Sequence, residues 1–305
     1  MKNPRPVCPN TACANHVDPP RAFYRKKGSR PAKHNRQPVL RYQCKKCDAW
    51  FSATQSKPIR QHHRPDLNTQ VFKLAVSGVT MRRMVSVLGC SKRTIARKIT
   101  HLAREAQKHH AAFLANPANR TAYVMMDELE TFIHARHQQV SVPVIIRVKT
   151  DQILGFAVCR ITSTMTLGGA GVKALPPGGT QWVHHDRDTM VPGLLNAVKP
   201  LLKSPATIAT DGDASYPKWI KKDLPDVTHL IHHSPKETSL GRAKKRADGT
   251  PREHDPLFAI NVTHAKMRND LARLGRKTWT TTKSVQGLRN HLWLYVAWVN
   301  GYNLK

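Results

Sequence analysis

The chain has 305 residues, 40% of them hydrophobic, enough for one large core or two to three smaller ones without disulfide staples. Fifty Lys and Arg stand against nineteen Asp and Glu, a formal net charge of +31 that repels itself unless a polyanion neutralises it. DNA, RNA or a ribosomal surface fits that balance, and no stretch approaches the ~18 apolar residues of a membrane span. The opening "MKNPRPVCPN" carries no apolar signal core, so a soluble, unexported protein with no membrane partner is expected.

Residues 1–60 are rich in Pro, Lys, Arg and polar side chains and can bury little by packing alone. Cys8 and Cys13, followed by Cys44 and Cys47, supply two close thiolate pairs, the ligand set of tetrahedral zinc. A zinc ribbon held by structural Zn²⁺ is therefore expected here. The first pair is wider than the commonest knuckle, which leaves His16 as an alternative ligand. Paired in this way, the cysteines point to metal and a reducing compartment rather than disulfides, while Cys90 and Cys159 read as core residues. In "RYQCKKCDAWFS", Arg41, Lys45 and Lys46 lie beside aromatic residues, a composition suited to nucleic acid.

Residues 61–115 read as an all-α domain. A first helix follows an Asp66 or Asn68 cap and stops at Gly78. Then "VTMRRMVSVLGCSKRTIARKITHLARE" has a helix-turn-helix layout: Met81, Met84, Val85 and Leu88 inward, a turn at Gly89, and a Ser91 cap. In the second helix Ile95, Ile99 and Leu102 face the core, and Lys92, Arg93, Arg97 and Lys98 face out toward double-stranded DNA. An ordinary basic three-helix bundle is the plainer reading.

From 120 to 282 an α/β domain is expected. Three strand-like runs, "YVMMDELETFIH", "VSVPVIIRV" and "ILGFAVCRI", precede a helix, "TMVPGLLNAVKPLL". A strand "ATIATDG", a helix "YPKWIKKDL", a strand "VTHLIHH", a basic loop 235–256 and a further helix follow. Residues 283–305 form a C-terminal helical extension. Asp127 sits inside an apolar strand, where an acid needs a partner. Alternation places Asp127, Leu129 and Thr131 on one face and Glu128 on the other, so the two adjacent acids are not expected at one site. Asp211 ends another apolar strand before a glycine, with Asp213 as its alternative. Two such carboxylates can hold Mg²⁺ or Mn²⁺.

The segment "AINVTHAKMRNDLARLGRKT" has helical spacing, with Ile260, Met267, Leu271 and Leu274 as its apolar stripe and Asn261, His264 and Arg268 along the border. Arg268, Arg273, Arg276, Lys277 and Lys283 read as phosphate contacts.

The order of cysteine knuckles, helix-turn-helix, "MDELETF", "IATDGDASY" and "NVTHAKMRNDLARLGRKTWTTTKS" resembles bacterial insertion-sequence transposases of the insertion-sequence-one type and their relatives. The resemblance runs over most of the chain, and its most specific block is Arg276, Lys277 and Thr278 with Thr280 to Lys283. It implies a ribonuclease H-like catalytic domain with a mixed sheet and a triad of metal-binding acids. Carried over, the first two acids are Asp127 and Asp211. The third position, usually Glu, lies seven residues before Arg268 and is Asn261, an Asp-Asp-Asn variant. Glu253 and Asp255 are alternatives for that third ligand. The implied activity is recognition of terminal inverted repeats, then metal-dependent DNA cleavage and strand transfer, by a homodimer or larger assembly on DNA in the bacterial nucleoid. A DNA-binding protein without catalysis, and a nuclease or junction resolvase, are the rival expectations.

Overall fold

A computed structural model of the chain describes residues 6–31, 38–52, 64–135, 138–162, 185–233, 255–275, 280 and 282–304. It divides into two compact units, residues 1–68 and 69–305.

In the first unit, strands β1 (Tyr24–Pro31), β2 (Pro38–Cys44) and β3 (Trp50–Ser52) form an antiparallel sheet in the order β1-β2-β3. Its core is small, consisting of Cys8, Cys13, Phe23, Tyr42, Cys44 and Phe51, with the Phe23 and Phe51 rings stacked 5.6 Å apart. So little apolar volume explains why this segment needs its cysteines.

The second unit begins with three helices, α1 (Asn68–Ala75), α2 (Met81–Leu88) and α3 (Lys92–Ala115). Gly89 ends α2 in the left-handed conformation, and the Ser91 hydroxyl accepts a hydrogen bond from the Thr94 N–H to cap α3. Gly78, at φ +70°, turns the chain between α1 and α2, and its N–H donates to the Asp270 carbonyl at 2.7 Å. A side chain there would be strained and would crowd the Asn269 carbonyl oxygen.

The α/β part is a mixed sheet. Strands β4 (Thr121–Phe132), β5 (Gln139–Arg147), β6 (Ile153–Phe156), β8 (Leu202–Asp211) and β9 (Val227–His232) lie in the order β6-β5-β4-β8-β9, and β7 (Cys159–Arg160) pairs with β5. Pairing is antiparallel across β4, β5 and β6 and parallel across β4, β8 and β9. Strand β5 is buried almost throughout because helices cover both faces. On one face α6 (Phe258–Asp270) and α7 (Val285–Val299) pack through Ile260, Met267, Leu288 and Leu292. The other face carries α4 (Arg187–Val198) and α5 (Tyr216–Asp223) through Leu195, Val198, Trp219 and Ile220.

Two expectations change. Helix α6 stops at Asp270; Leu271 is extended, and Leu271 and Leu274 are buried by a turn rather than by continued helix. Lys98 is buried, at 3% exposure, on the same face as Ile95, Ile99 and Leu102, and not on the outward face with Lys92, Arg93 and Arg97. The inward face of α3 lies against α7, where the Asn290 amide donates to the Thr100 hydroxyl at 3.3 Å. Near its C-terminal end, His110 binds the Leu154 carbonyl through Nε2 at 3.0 Å and the Tyr302 hydroxyl through Nδ1 at 2.8 Å. The carbonyl can only accept, so the ring proton sits on Nε2 and Tyr302 donates to Nδ1. Asn300 completes this pin by pairing with both the N–H and the carbonyl of Ile153 on β6, at 3.0 and 2.9 Å.

Candidate active site and metal centre

In the first unit, Cys8, Cys13, Cys44 and Cys47 bring their four sulfur atoms within 4.8 Å of one another. Cys8 and Cys47 are 3.4 Å apart and Cys13 and Cys44 3.9 Å, separations that suit four thiolates around one tetrahedral ion. Burial pushes the Cys8 thiol up to about 12. At Cys44 burial acts the same way, but hydrogen bonds from Asn15 and from the backbone of Cys47 and Lys46 outweigh it and hold the thiol near 6. His16 is not a member of the cluster: its Nδ1 donates to the Cys8 carbonyl at 2.6 Å and so buttresses the knuckle.

In the second unit, β4 and β8 run parallel with Val124 opposite Ile208 and Met125 opposite Ala209. Continued two residues, this register places Asp127, in the middle of β4, alongside Asp211, the last residue of β8. A cavity of about 490 Å³ opens there, lined by both aspartates and by Glu128, Arg187, Asp213 and Tyr216 among others. Asp211 accepts the Asp213 N–H at 3.1 Å through Oδ1. A Cβ on Gly212, between them, would displace the exposed His233 ring.

Burial pushes the Asp127 carboxyl up to about 6; the charges of Asp211 and Glu128 act in the same direction, against the Glu128 N–H and Arg268. A buried carboxyl held up in this way is one that a divalent cation would stabilise in its charged form. From α6, His264 reaches Asp127: its Nδ1 is 3.5 Å from Oδ2. Burial, reinforced by Arg268, lowers the His264 ring to about 4, so the imidazole is neutral at physiological pH.

Asn261 lies one turn earlier on α6 and is exposed, its amide donating to Asp255 Oδ2 at 2.8 Å. The structure thus sets His264 against Asp127 and pairs Asn261 with Asp255, and among the described residues Asp127, Asp211 and His264 do not converge at metal-ligand spacing. Glu253 lies outside the described residues.

Glu128 and Asp213 are committed to a different task. Arg187, at the start of α4, donates to Glu128 Oε1 through Nη2 at 2.7 Å and Nε at 3.0 Å, and to Asp213 Oδ2 at 3.0 Å. Its guanidinium lies 5.2 Å from the centre of the Trp219 ring. The hydroxyls of Tyr216 and Ser141 also donate to Glu128. For Asp213, burial is opposed and outweighed by the Ser215 N–H and by Arg187, which hold its carboxyl below the usual range. Glu128 and Asp127 keep to alternate faces of β4, yet both line the cavity, contrary to the expectation from alternation alone. No sequence signal marked Arg187, since its partner on β4 is 59 residues away.

Among the basic residues, Lys92, Arg93 and Arg97 are exposed along α3, and Lys283 is exposed with Nζ 3.4 Å from His134 Nδ1. Arg268 is half-buried, with Nη2 3.5 Å from the Glu130 carbonyl. Arg273 departs from the outward role expected of it. Its Nη1 donates to the Thr282 hydroxyl at 3.1 Å, Nε to His291 at 3.3 Å and Nη2 to the Met81 sulfur at 3.1 Å, tying α2 to the start of α7. Arg276 and Lys277 lie outside the described residues. No helix among the described residues is long and apolar enough to cross a membrane. No protein-family model and no curated protein matches the chain.

Proposed function

We propose that the chain is a metal-dependent DNA transposase with a ribonuclease H-like catalytic domain, which recognises the ends of its element and cuts and joins DNA. The observation that carries this reading is the pair Asp127, within β4, and Asp211, at the end of the parallel strand β8, both lining one open cavity. The strand order β6-β5-β4-β8-β9, with three antiparallel strands followed by two parallel ones, supports the fold that the sequence resemblance implies. Exposed Lys92, Arg93 and Arg97 and the charge of +31 support DNA as the partner.

In this reading Asp127 and Asp211 hold Mg²⁺ or Mn²⁺, which when bound activates the attacking oxygen and stabilises the leaving one. Arg187 keeps Glu128 and Asp213 turned to itself, leaving the two aspartates for the ion. The zinc ribbon and helix-turn-helix bind the terminal repeats, and joining two ends requires at least a dimer on DNA.

The test is a strand-transfer assay on DNA carrying the element's ends with Mg²⁺ or Mn²⁺. Wild type is expected to cleave and join, and Asp127→Ala to lose both while retaining DNA binding. Absence of cleavage by wild type favours a DNA-binding protein; cleavage without joining favours a nuclease or resolvase.

A further inference from the structure

Resting on the reading of DNA as the partner, we propose that the outer face of the ribbon binds unpaired DNA, with the Trp50 ring stacking on an exposed base. Direct pairing across the sheet sets Arg25 opposite Gln43 and Gln43 opposite Trp50, so these side chains form one row on one face. Arg41 and Ser52, opposite each other and two residues along their strands, continue that face. The other face holds Tyr42, Cys44 and Phe51 in the ribbon's core. Trp50 lies outside that core and is 49% exposed. Packing within the ribbon gives no reason for an indole there, whereas a flat ring on an open strand face is a platform for a nucleobase.

The chemistry around the ring selects the partner. Strands β1, β2 and β3 carry five Lys and Arg and no acid, so the sheet attracts a polyanion. The Arg41 guanidinium lies 4.7 Å from the centre of the Trp50 ring, an exposed cation–π contact that is weaker than a base–aromatic stack. A base can therefore replace it on the ring while the guanidinium turns to a neighbouring phosphate. In duplex DNA each base face is covered by the next base pair, and an indole on a sheet meets only sugar and phosphate. Unpaired DNA offers the base faces, and the Gln43 amide in the same row has both donors and an acceptor for a base edge.

The experiment is fluorescence anisotropy of the full zinc-loaded chain with a short oligothymidine and with a mixed-sequence duplex of equal length. Trp50→Ala is expected to bind the oligothymidine about tenfold more weakly, with duplex affinity changed by less than about twofold, and Trp50→Phe to recover most of the loss. Zinc content should stay at about one per chain in both variants, since Trp50 is outside the core. In parallel, ultraviolet crosslinking of wild type to an oligothymidine carrying iodouracil should place the adduct on Trp50. An adduct confined to other residues, or a Trp50→Ala variant that loses nothing or loses equally on both DNAs, overturns the stacking assignment and leaves DNA binding standing. Wild type that binds neither DNA overturns the reading of DNA as the partner, and this inference with it.

Discussion

Arg187 shows how one side chain can decide which acids remain available. Its guanidinium takes up Glu128 and Asp213, both within the cavity that holds Asp127 and Asp211. Removing it leaves a mostly buried Glu128 without its cation, a loss on the order of 3 kcal/mol. Arg187→Gln is therefore expected to lower the melting temperature by several degrees, with Arg187→Lys intermediate because an ammonium cannot match the forked contact. Thermal unfolding of the three proteins checks this order. A second residue-scale consequence concerns His291, whose ring burial, aided by Arg273, depresses to about 3. The unfolded chain takes up this proton near its ordinary value of about 6.5, and the folded chain does not. Stability from this group is thus fully present above pH 6.5 and falls as pH drops toward 3, by up to about 1.4 kcal/mol per unit. Denaturant unfolding at pH 7.5 and 5 should show a steeper loss in wild type than in His291→Gln. Asp127 was legible because an acid inside an apolar strand demands a partner, and Asp211 because it ends another such strand before a glycine. Arg187 was not, because nothing local tells an arginine which distant carboxylate it will meet.

At the scale of elements, strands and helices followed from alternation, caps and glycine stops, and Ser91 and Gly89 act as their residue types require. What periodicity could not supply was the neighbour of each face. Lys98 and Arg273 look like phosphate contacts until α7 is packed beside α3 and Thr282 and His291 are set beside Arg273. Likewise Leu271 and Leu274 preserve helical spacing although the chain has already left the helix at Asp270. The distinction between Arg97 and Lys98 is measurable. Arg97→Ala is expected to weaken DNA binding and reduce the slope of log affinity against log salt by about 1. Lys98→Ala should leave the slope unchanged and alter thermal stability instead. Fluorescence anisotropy over a salt series, alongside a melting curve, separates the two effects.

Over the whole molecule, the two units are stabilised in different ways. Residues 69–305 bury extensive apolar faces on both sides of a sheet, whereas the first unit relies on six core residues, three of them potential metal ligands. Chelation should therefore abolish the tertiary signal of the tyrosines and phenylalanines in the ribbon while leaving the helical signal of the remainder, and elemental analysis should return about one zinc per chain. Replacing Cys44 and Cys47 by Ser should have the same effect as the chelator. If far-ultraviolet helicity collapsed with the metal, the division of labour between the units would be wrong.

Helix α3 has 24 residues, about 36 Å of rigid backbone, with the Ser91 cap and basic outer face at one end and the His110 pin to β6 at the other. If that outer face grips DNA as proposed, the helix is also a ruler. Distance and angle between the recognised bases and the bond to be cut are set by the length and twist of a single rod bolted to the sheet, so each protein molecule cuts at a fixed offset from what it reads. Evolving a new offset would demand changes along the entire α3–α7 seam, whereas evolving a new recognition sequence would need only the exposed side chains of one face.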